Sequence, residues 1–314
     1  MKGSVIALDR IGGHPAAALM VDGRLEDLLL PPRVPEAFGP GAICRALPGK
    51  PVKGQGGAFV TLPGGETGFL RKPDRLRPGQ PMLVQVTGHA EPGKAPPLTQ
   101  KVLFKSRFAI VTPDAPGLNI SRQVKDAETR AWLAALAEAA MAGSDAGLIL
   151  RSAATEAEDA AVAEDIAAMR RLAETILADG ASGPPELLFD APDAHALAWR
   201  DWPAPDLLDD AEGSFARHGV DEAVAALATG RIDLGQGAFA VIEPTRALVA
   251  VDVNTGGDHS HAAGLKANTG LARALPRALR CLGYGGQITL DLAPMPKAQR
   301  RQWEQSLAAA SGRT

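Results

Sequence analysis

The chain has 314 residues, 46% of them hydrophobic, which is enough for two or three small domains with cores of their own. It contains no uninterrupted apolar run of about 18 residues, so the composition predicts no membrane-spanning segment. The apolar run after Met1 ends at Asp9 and is too short for a signal peptide. Cys44 and Cys281 alone can build neither a disulfide framework nor a four-cysteine zinc site. We therefore expect a soluble, reduced, cytoplasmic protein.

The net charge of −3 hides a strong segregation of charge along the chain. Residues 41–125 carry 13 Lys/Arg against 4 Asp/Glu, residues 126–235 carry 7 against 22, and residues 236–314 carry 9 against 5. A basic segment in an otherwise acidic protein indicates a phosphate-rich ligand such as nucleic acid. The alternative is that these charges only keep a glycine-rich domain in solution.

The first half of the chain reads mainly as β-structure. The turn at Asp22-Gly23 joins two N-terminal strands, and the proline-rich residues 31–35 mark a domain boundary. Between about 37 and 104, short strands separated by Gly/Pro turns predict a small barrel or sandwich. The predicted elements are strands at 5–8, 16–21, 28–30, 57–60, 68–70, 82–86, 108–111 and 148–150, and a helix at 128–141.

The second half alternates helices and strands, and from residue 238 this alternation predicts an α/β unit. Pro276 should kink or split the helix that contains it. The acidic, Ala/Pro-rich residues 200–215 predict a surface loop. The predicted elements are helices at 156–178, 191–199, 221–228, 262–281 and from 297, and strands at 187–189, 239–242, 247–251 and 287–290.

Two predicted strands each end on a single aspartate, Asp252 and Asp291. A buried strand rarely tolerates an unpaired carboxylate, because its lost hydration must be replaced by a cation or by hydrogen-bond donors. If the strands are neighbours, the two carboxylates lie side by side, as Mg²⁺ prefers. Asn254 stands on the same side of its strand as Asp252 and could orient a phosphate or a metal-bound water. The alternative is that Asp252 caps a turn and Asp291 caps a helix.

Phe59 and Phe69 fall on adjacent predicted strands of the basic segment. OB-type barrels bind single strands by stacking bases on such aromatics, while cations follow the backbone. The alternative is that both phenylalanines are core residues. The cations around them in the sequence are Lys50, Lys53, Arg71, Lys72 and Lys94.

His259 and His261 follow the Asp252 loop at i, i+2 spacing. A histidine pair without a third ligand is a weak sign of a transition-metal site, so we interpret both as solvated loop residues. The sequence has no Gly-x-Ser-x-Gly elbow, P-loop or dinucleotide fingerprint, which argues against an esterase, a kinase or a dehydrogenase.

The order of these segments resembles the ribonuclease E/G family of bacterial endoribonucleases over nearly the full length of the chain. The most specific part of the resemblance is residues 243–256, followed by Asn268-Thr269 and residues 285–291. The other segments that match are 21–23, 57–60, 68–70, 107–113, 120–122 and 148–152.

The resemblance implies an α/β (α+β) multidomain fold. An RNase H-like domain would contain an inserted OB-fold barrel and a 5′-sensor region, and a DNase I-like catalytic subdomain would follow. The implied ranges are 1–36 and 156–235 for the RNase H-like domain, 37–104 for the OB-fold, 105–155 for the sensor region, and 236–314 for the catalytic subdomain.

The resemblance also implies an activity. Asp252 and Asp291 match the magnesium-binding aspartates of the family, and Asn254 matches its active-site asparagine. The implied reaction is Mg²⁺-dependent hydrolysis of single-stranded RNA to products with 5′-phosphate and 3′-hydroxyl ends, favouring 5′-monophosphorylated substrates. Phe59 and Phe69 would hold bases, and Arg151 and Ser152 would contact the 5′-phosphate. The implied RNA-binding residues are Phe59, Phe69, Lys94, Arg122, Arg151 and Ser152.

The chain departs from the family pattern in three places. Pro294 replaces the second acid of the Asp-Phe-x-Asp-Met motif, and Gly270 and Ala272 replace the second Asn and the Glu of the Asn-Thr-Asn-Leu-Glu motif. Polar groups near the site are therefore missing. The family's zinc-binding cysteine pair, which couples two subunits, has no counterpart, so we do not expect Zn²⁺. We expect a monomer or a zinc-independent dimer.

Two rival functions remain. A degenerate family member could bind RNA without cutting it, and RNA binding without Mg²⁺-dependent cleavage would select this alternative. A DNA nuclease or a phosphatase could use the same pair of aspartates. Comparing single-stranded RNA, single-stranded DNA and a phosphomonoester as substrates would separate these activities.

Overall fold

The computed structural model describes residues 2–311 except 33–35, 53–55, 75, 78, 92 and 259. The chain divides into two compact units, of which the first consists of Met1–Pro31 and Ala204–Thr314 and the second of Pro32–Pro203. Lys53 and His259, both singled out in the sequence, lie outside the described residues.

The elements of both units follow in chain order. The strands are β1 (Ser4–Ile11), β2 (His14–Val21), β3 (Arg24–Leu29), β4 (Ile43–Val52), β5 (Gly57–Thr61), β6 (Thr67–Arg71), β7 (Met82–Val86), β8 (Pro97–Thr99), β9 (Phe104–Lys105), β10 (Ala109–Thr112), β11 (Leu118–Ile120), β12 (Gly147–Leu150), β13 (Glu186–Phe189), β14 (Leu207–Asp209), β15 (Arg231–Gly235), β16 (Ala238–Pro244), β17 (Val249–Asn254) and β18 (Ile288–Asp291). The helices are α1 (Ala127–Ala140), α2 (Asp159–Gly180), α3 (Ala194–Asp201), α4 (Ser214–Arg217), α5 (Val220–Ala228), α6 (His261–Leu282) and α7 (Lys297–Ser311).

The first unit contains a sheet in the order β14-β1-β2-β3. β1 and β2 form an antiparallel hairpin, and β14 adds in parallel to β1 with Leu207 opposite Val5. The apolar face of this sheet packs on Phe215 of α4, Val220 of α5 and Cys281 of α6. The predicted loop at 200–215 is therefore wrong, because it contains β14 and the start of α4. A three-residue strand is too short to show periodicity in a sequence.

The first unit also contains a second sheet, in the order β15-β16-β17-β18. β15, β16 and β17 are antiparallel, whereas β17 and β18 are parallel. One face of this sheet packs on α6, and the shared core includes Val251, Leu271 and Leu275.

Helix α6 runs without interruption from His261 to Leu282 and contains Pro276, so the predicted split does not occur. Proline removes one backbone donor and costs about 3 kcal/mol in a helix interior. This cost is offset by burial, because the helix buries Leu271, Leu275 and Ala278 completely or nearly so.

The second unit contains a closed barrel of five strands in the order β4-β5-β6-β8-β7, with β7 pairing back to β4. β13 adds to the outer edge of β4. The inward residues are small or branched, which suits a barrel of this size. They form a buried cluster of Ala42, Cys44, Ala46, Val60, Leu62, Leu70, Val84, Val86 and Leu98. The prediction of a small OB-like barrel is thereby confirmed.

The rest of the second unit is a sheet in the order β11-β12-β10-β9 that packs on α1 and α2. Arg45 of β4, only 6% exposed, donates to the carbonyls of Asp179 and Pro184 and pairs with Glu186. These bonds satisfy a buried guanidinium and tie the end of α2 to the barrel.

Both cysteines are buried free thiols. Burial raises the pKa of Cys44 and of Cys281 to about 11, which makes them poor nucleophiles and metal ligands. Among the described residues, no helix has the length and hydropathy that crossing a membrane requires.

Candidate active site

Asp252 and Asp291 lie side by side at the carboxyl ends of two neighbouring parallel strands. They are direct register partners between β17 and β18. Their side chains therefore point to the same face of the sheet, with Cα atoms about 4.8 Å apart. Both residues are exposed. The condition on which the sequence analysis made a carboxylate pair depend, that the two strands are neighbours, is met.

Strict alternation along β17 decides which face carries the carboxylates. Val249, Val251 and Val253 are buried against α6, so Asp252 and Asn254 project from the opposite face. We call this opposite face the open face of the β15–β18 sheet. Parallel strands are usually covered on both faces. A parallel pair that presents two carboxylates to solvent is therefore a candidate binding surface.

Asn254 orients one of the two carboxylates. Its Nδ2 donates a hydrogen bond of 2.8 Å to Oδ2 of Asp252. Within the described part of the chain, neither Asp252 nor Asp291 forms an ion pair with a lysine, arginine or histidine. Two carboxylates without a protein cation can accept one from solution.

The donor set fits Mg²⁺ better than Zn²⁺. Mg²⁺ is commonly held by one or two carboxylates while waters and substrate phosphates complete its octahedron. Structural Zn²⁺ needs four Cys, His or acidic ligands. In the described residues, no group of three or more His, Cys, Asp or Glu side chains could hold a metal together. His261 begins α6 and is exposed.

The segment after β18 is fixed by Asn268 of α6, which is completely buried. Its Nδ2 donates to the carbonyl of Ala293, and its Oδ1 accepts from the backbone N–H of Ala293. Trp303 of α7 donates its Nε1–H to the carbonyl of Asn268. Asn268 thus holds the backbone two residues beyond Asp291.

Gly270 and Ala272, where the family motif has polar residues, lie on α6. A Cβ on Gly270 would lie 3.2 Å from the carbonyl oxygen of Leu234, and Ala272 is fully buried. At Gly270 the departure therefore accompanies close packing of α6 on β15. Pro294, which replaces the second acid, is exposed.

The open face also carries an aromatic residue that the sequence analysis did not select. Phe239 of β16 is the register partner of Asn254, and Asp233 of β15 is its partner on the other side. The guanidinium carbon of Arg231 lies 3.4 Å from the centre of the Phe239 ring. No local motif marks this pair, because only strand register brings the two residues together.

Phe59 and Phe69 form an aromatic pair on the barrel of the second unit. They are register partners on β5 and β6, with ring centroids 5.3 Å apart in an edge-to-face arrangement. Phe59 is 44% exposed, and Phe69 is half-buried. A Cβ on Gly57 would lie 2.4 Å from the Phe69 ring, so any larger residue at position 57 would clash with the ring. Lys94 is exposed and pairs with Glu91 at 2.5 Å.

Arg151, a predicted contact for a 5′-phosphate, already has several partners. Its guanidinium donates to the carbonyls of Ser106, Arg107 and Arg200 and to Asp201. Ser152 donates to the side chain of Gln123. Arg122 is exposed.

Three cations converge on Asp201. Lys105, Arg151 and Arg200 reach its carboxylate at 2.7, 2.7 and 2.8 Å. Burial alone would raise the pKa of Asp201, but hydrogen bonds from Arg200 and Lys105 outweigh it and lower the pKa to about 2. Arg107 stacks on the neighbouring Trp199, which is 56% exposed. No sequence pattern marks this cluster, since Lys105 and Arg151 are far from Asp201 in the chain.

The sequence of the chain is similar to those of known proteins. The family model described as "Ribonuclease E/G family" matches residues 104–209 and 204–311. A protein of Synechocystis sp. named Ribonuclease E is 25% identical over 260 residues, which cover 70% of this chain and 38% of that protein. Ribonuclease G of Haemophilus influenzae is 24% identical over 262 residues, covering 72% and 53%.

A plant protein is similar to the same degree. The "Ribonuclease E/G-like protein, chloroplastic" of Arabidopsis thaliana is 26% identical over 269 residues, covering 70% of this chain and 27% of that protein. The aligned region thus spans between about a quarter and about half of these relatives. Because the family model matches most of the chain, including both candidate carboxylates, the chain belongs to the ribonuclease E/G family.

Proposed function

We propose that this protein is a Mg²⁺-dependent endoribonuclease that hydrolyses phosphodiester bonds in single-stranded RNA. One observation carries the proposal: Asp252 and Asp291 are in register on an open sheet face, beside Asn254. Membership in a family whose relatives are named ribonucleases supports RNA as the substrate. The RNase H-like and DNase I-like subdomains, with the ranges given above, belong to this proposal.

The residues of the open face have separate roles in this mechanism. Asp252 and Asp291 would hold the cation, next to which the scissile phosphate would bind. Bound Mg²⁺ would neutralise charge on the attacked phosphate and make a nearby water more acidic. Asn254 orients the Asp252 carboxylate through its hydrogen bond to Oδ2, which would leave Oδ1 available to a cation. The products would carry 5′-phosphate and 3′-hydroxyl ends.

Phe59 and Phe69 would hold the RNA strand by stacking on its bases. Each stacked base contributes about 1–3 kcal/mol in proteins that bind single strands, with little dependence on base identity. The exposed Phe59 ring supports this role. Lys94 would follow the phosphate backbone, in competition with its partner Glu91.

A preference for a 5′-monophosphate would come from Arg122, Arg151 and Ser152. Because Arg151 already donates to Asp201, an incoming phosphate must share that guanidinium. We therefore expect a small preference, with the 5′-phosphorylated RNA cut faster than its 5′-hydroxyl counterpart by less than about tenfold.

The experiment that tests this function is cleavage of a short single-stranded RNA with a 5′-monophosphate, with and without Mg²⁺, beside the Asp252→Asn variant. Cleavage that needs both Mg²⁺ and Asp252 is the expected result. Single-stranded DNA and a phosphomonoester serve as comparison substrates and should react slowly. Cleavage by the variant at the wild-type rate would overturn the proposal.

The second candidate function is RNA binding without cleavage. Pro294 in place of the second acid of the family motif favours it. Tight RNA binding with no cutting in Mg²⁺ would select this candidate. In either case we propose a monomer or a zinc-independent dimer.

A further inference from the structure

The open face holds more than the metal-binding residues. Phe239 lies directly opposite Asn254 in the antiparallel pair of β16 and β17, so their side chains share this face. Such partners have Cα atoms about 4.5–5.5 Å apart. Asn254 in turn donates to Asp252. The Phe239 ring is therefore the direct neighbour of the amide that orients the carboxylate.

The guanidinium of Arg231 lies over this ring. Its guanidinium carbon lies 3.4 Å from the ring centre, which is stacking distance. In the described part of the chain, Arg231 forms no ion pair, although Asp233 projects from the same strand and face. Its positive charge is held by an aromatic face and stays available to an anion.

The groups around Phe239 and Arg231 indicate which ligand the two residues can bind. A nucleotide combines an aromatic plane with a negative phosphate, which matches a stacked Phe–Arg pair beside a metal-binding carboxylate pair. Residues two apart on a strand are about 6.8 Å from each other. The distance from Asp252 to Asn254, and to Phe239 opposite Asn254, is thus similar to the distance between neighbouring nucleotides in a single strand.

We propose that Phe239 and Arg231 form a stacking site for the nucleobase next to the scissile phosphate, beside the cation that Asp252 and Asp291 would hold. This inference rests on the proposed function, since it presumes that RNA reaches the open face. Phe239 contributes the hydrophobic plane, and Arg231 contributes a second plane and a charge toward the flanking phosphate. Phe59 and Phe69, the other proposed stacking residues, belong to the other unit.

The first test measures stacking without cleavage. A set of ten-nucleotide RNAs, each with 2-aminopurine at one position, is bound in Ca²⁺ in place of Mg²⁺. The fluorescence of 2-aminopurine falls when it stacks. We expect one position whose quenching is lost in Phe239→Leu, is kept in Phe239→Tyr and weakens in Arg231→Gln. The same position should remain quenched in Phe59→Leu. Quenching that is unchanged at every position in Phe239→Leu would overturn the inference.

The second test measures cleavage in Mg²⁺. Removing the base beside the cleaved bond should slow the wild-type protein about tenfold, as for the loss of one stacked base. Phe239→Leu should cut intact RNA about tenfold more slowly than the wild-type protein does. The variant should cut the abasic substrate at the same rate as intact RNA. The control is Glu243→Gln, on the same strand and face but opposite Ala250, which should behave as wild type.

The two proposals fail in different ways. If the wild-type protein cuts no RNA while Phe239-dependent quenching is present, the nuclease proposal fails and the stacking site stands. If the wild-type protein cuts RNA and Phe239→Leu matches its kcat and KM on both intact and abasic substrates, the stacking site is wrong and the nuclease stands.

Discussion

Asn268 and Ala293 are joined by a reciprocal pair of hydrogen bonds, 2.9 Å from the side-chain amide to the carbonyl and 3.1 Å from the backbone N–H to the amide oxygen. This pair connects α6 to the segment that leaves the sheet after Asp291. Because Asn268 is completely buried, both bonds are made away from water. The position of Asp291 thus depends on a residue on the covered side of the sheet.

The variant Asn268→Ala should lower the free energy of unfolding by about 2–3 kcal/mol, since it leaves buried backbone groups of Ala293 without partners. Urea unfolding measures this change. Thr269→Ala is the matched control, because Thr269 donates only within its own helix and should lose less than about 1 kcal/mol. Equal losses in both variants would contradict the role assigned to Asn268.

Asp252→Asn and Asp291→Asn should each reduce Mg²⁺-dependent cleavage by about 100-fold or more, because each removes a negative ligand from the cation. Both side chains are exposed, so thermal stability should stay within about 0.5 kcal/mol of wild type. Calorimetric titration should show weaker Mg²⁺ binding. Normal Mg²⁺ affinity in both variants would argue against this site. Glu243→Gln is the control for a charge lost from the same face.

Phe59→Leu and Phe69→Leu should each weaken binding of single-stranded RNA about tenfold, from the loss of one stacked base. Fluorescence anisotropy with a labelled RNA measures the dissociation constant. Phe189→Leu on β13 is the control, since Phe189 is a comparably exposed phenylalanine, 39% accessible, of the same sheet. An equal loss in this control would mean that the effect is not specific to the pair.

Stability should fall in acid because of Asp201. The pKa of Asp201, about 2, lies below the ordinary value for an aspartate. The ionised carboxylate therefore contributes fully to the free energy of unfolding above about pH 5, and this contribution disappears as the pH falls toward 2. Asp201→Asn should remove on the order of 2 kcal/mol at pH 7 and flatten the dependence between pH 5 and 2. Urea unfolding at several pH values tests this, with the exposed Asp145→Asn as control. An unchanged slope in Asp201→Asn would refute it.

Pro276→Ala should stabilise the protein by about 1–3 kcal/mol, because it restores a backbone donor inside α6 and removes a steric conflict. The melting temperature should rise by several degrees. Pro296→Ala, just before α7, should bring no such gain, since a proline there interrupts no helix. A lower melting temperature for Pro276→Ala would show that the proline fits its site.

Local patterns predicted the parts of the fold in which each strand or helix carries its own signal. The strand β17 and the helix α2 are examples, and both appear close to the expected ranges. β14 gave no signal, since three residues show no period and its partner β1 is about 200 residues away. The path of α6 through Pro276 depends on burial, which a local rule does not include.

Some residues of the candidate sites could likewise be predicted from local sequence, and others could not. Asp252 and Asp291 could be selected because an acid at the end of an apolar strand is unusual in itself. Phe239 and Arg231 could not, since a phenylalanine in a strand is ordinary until register places it beside Asn254. Asp201 was missed for a related reason: its three cations, at positions 105, 151 and 200, meet only in the folded unit.

The first unit is made from two stretches of chain, and this has a consequence for synthesis on the ribosome. Ser4 bonds to Asp206, 202 residues later, so the β1–β2 hairpin emerges long before the strand that covers its edge. Pro32–Pro203 emerges in between and has its own cores. We therefore expect the inserted unit to fold first while β1 keeps an unpaired edge, the type of surface at which nascent chains associate.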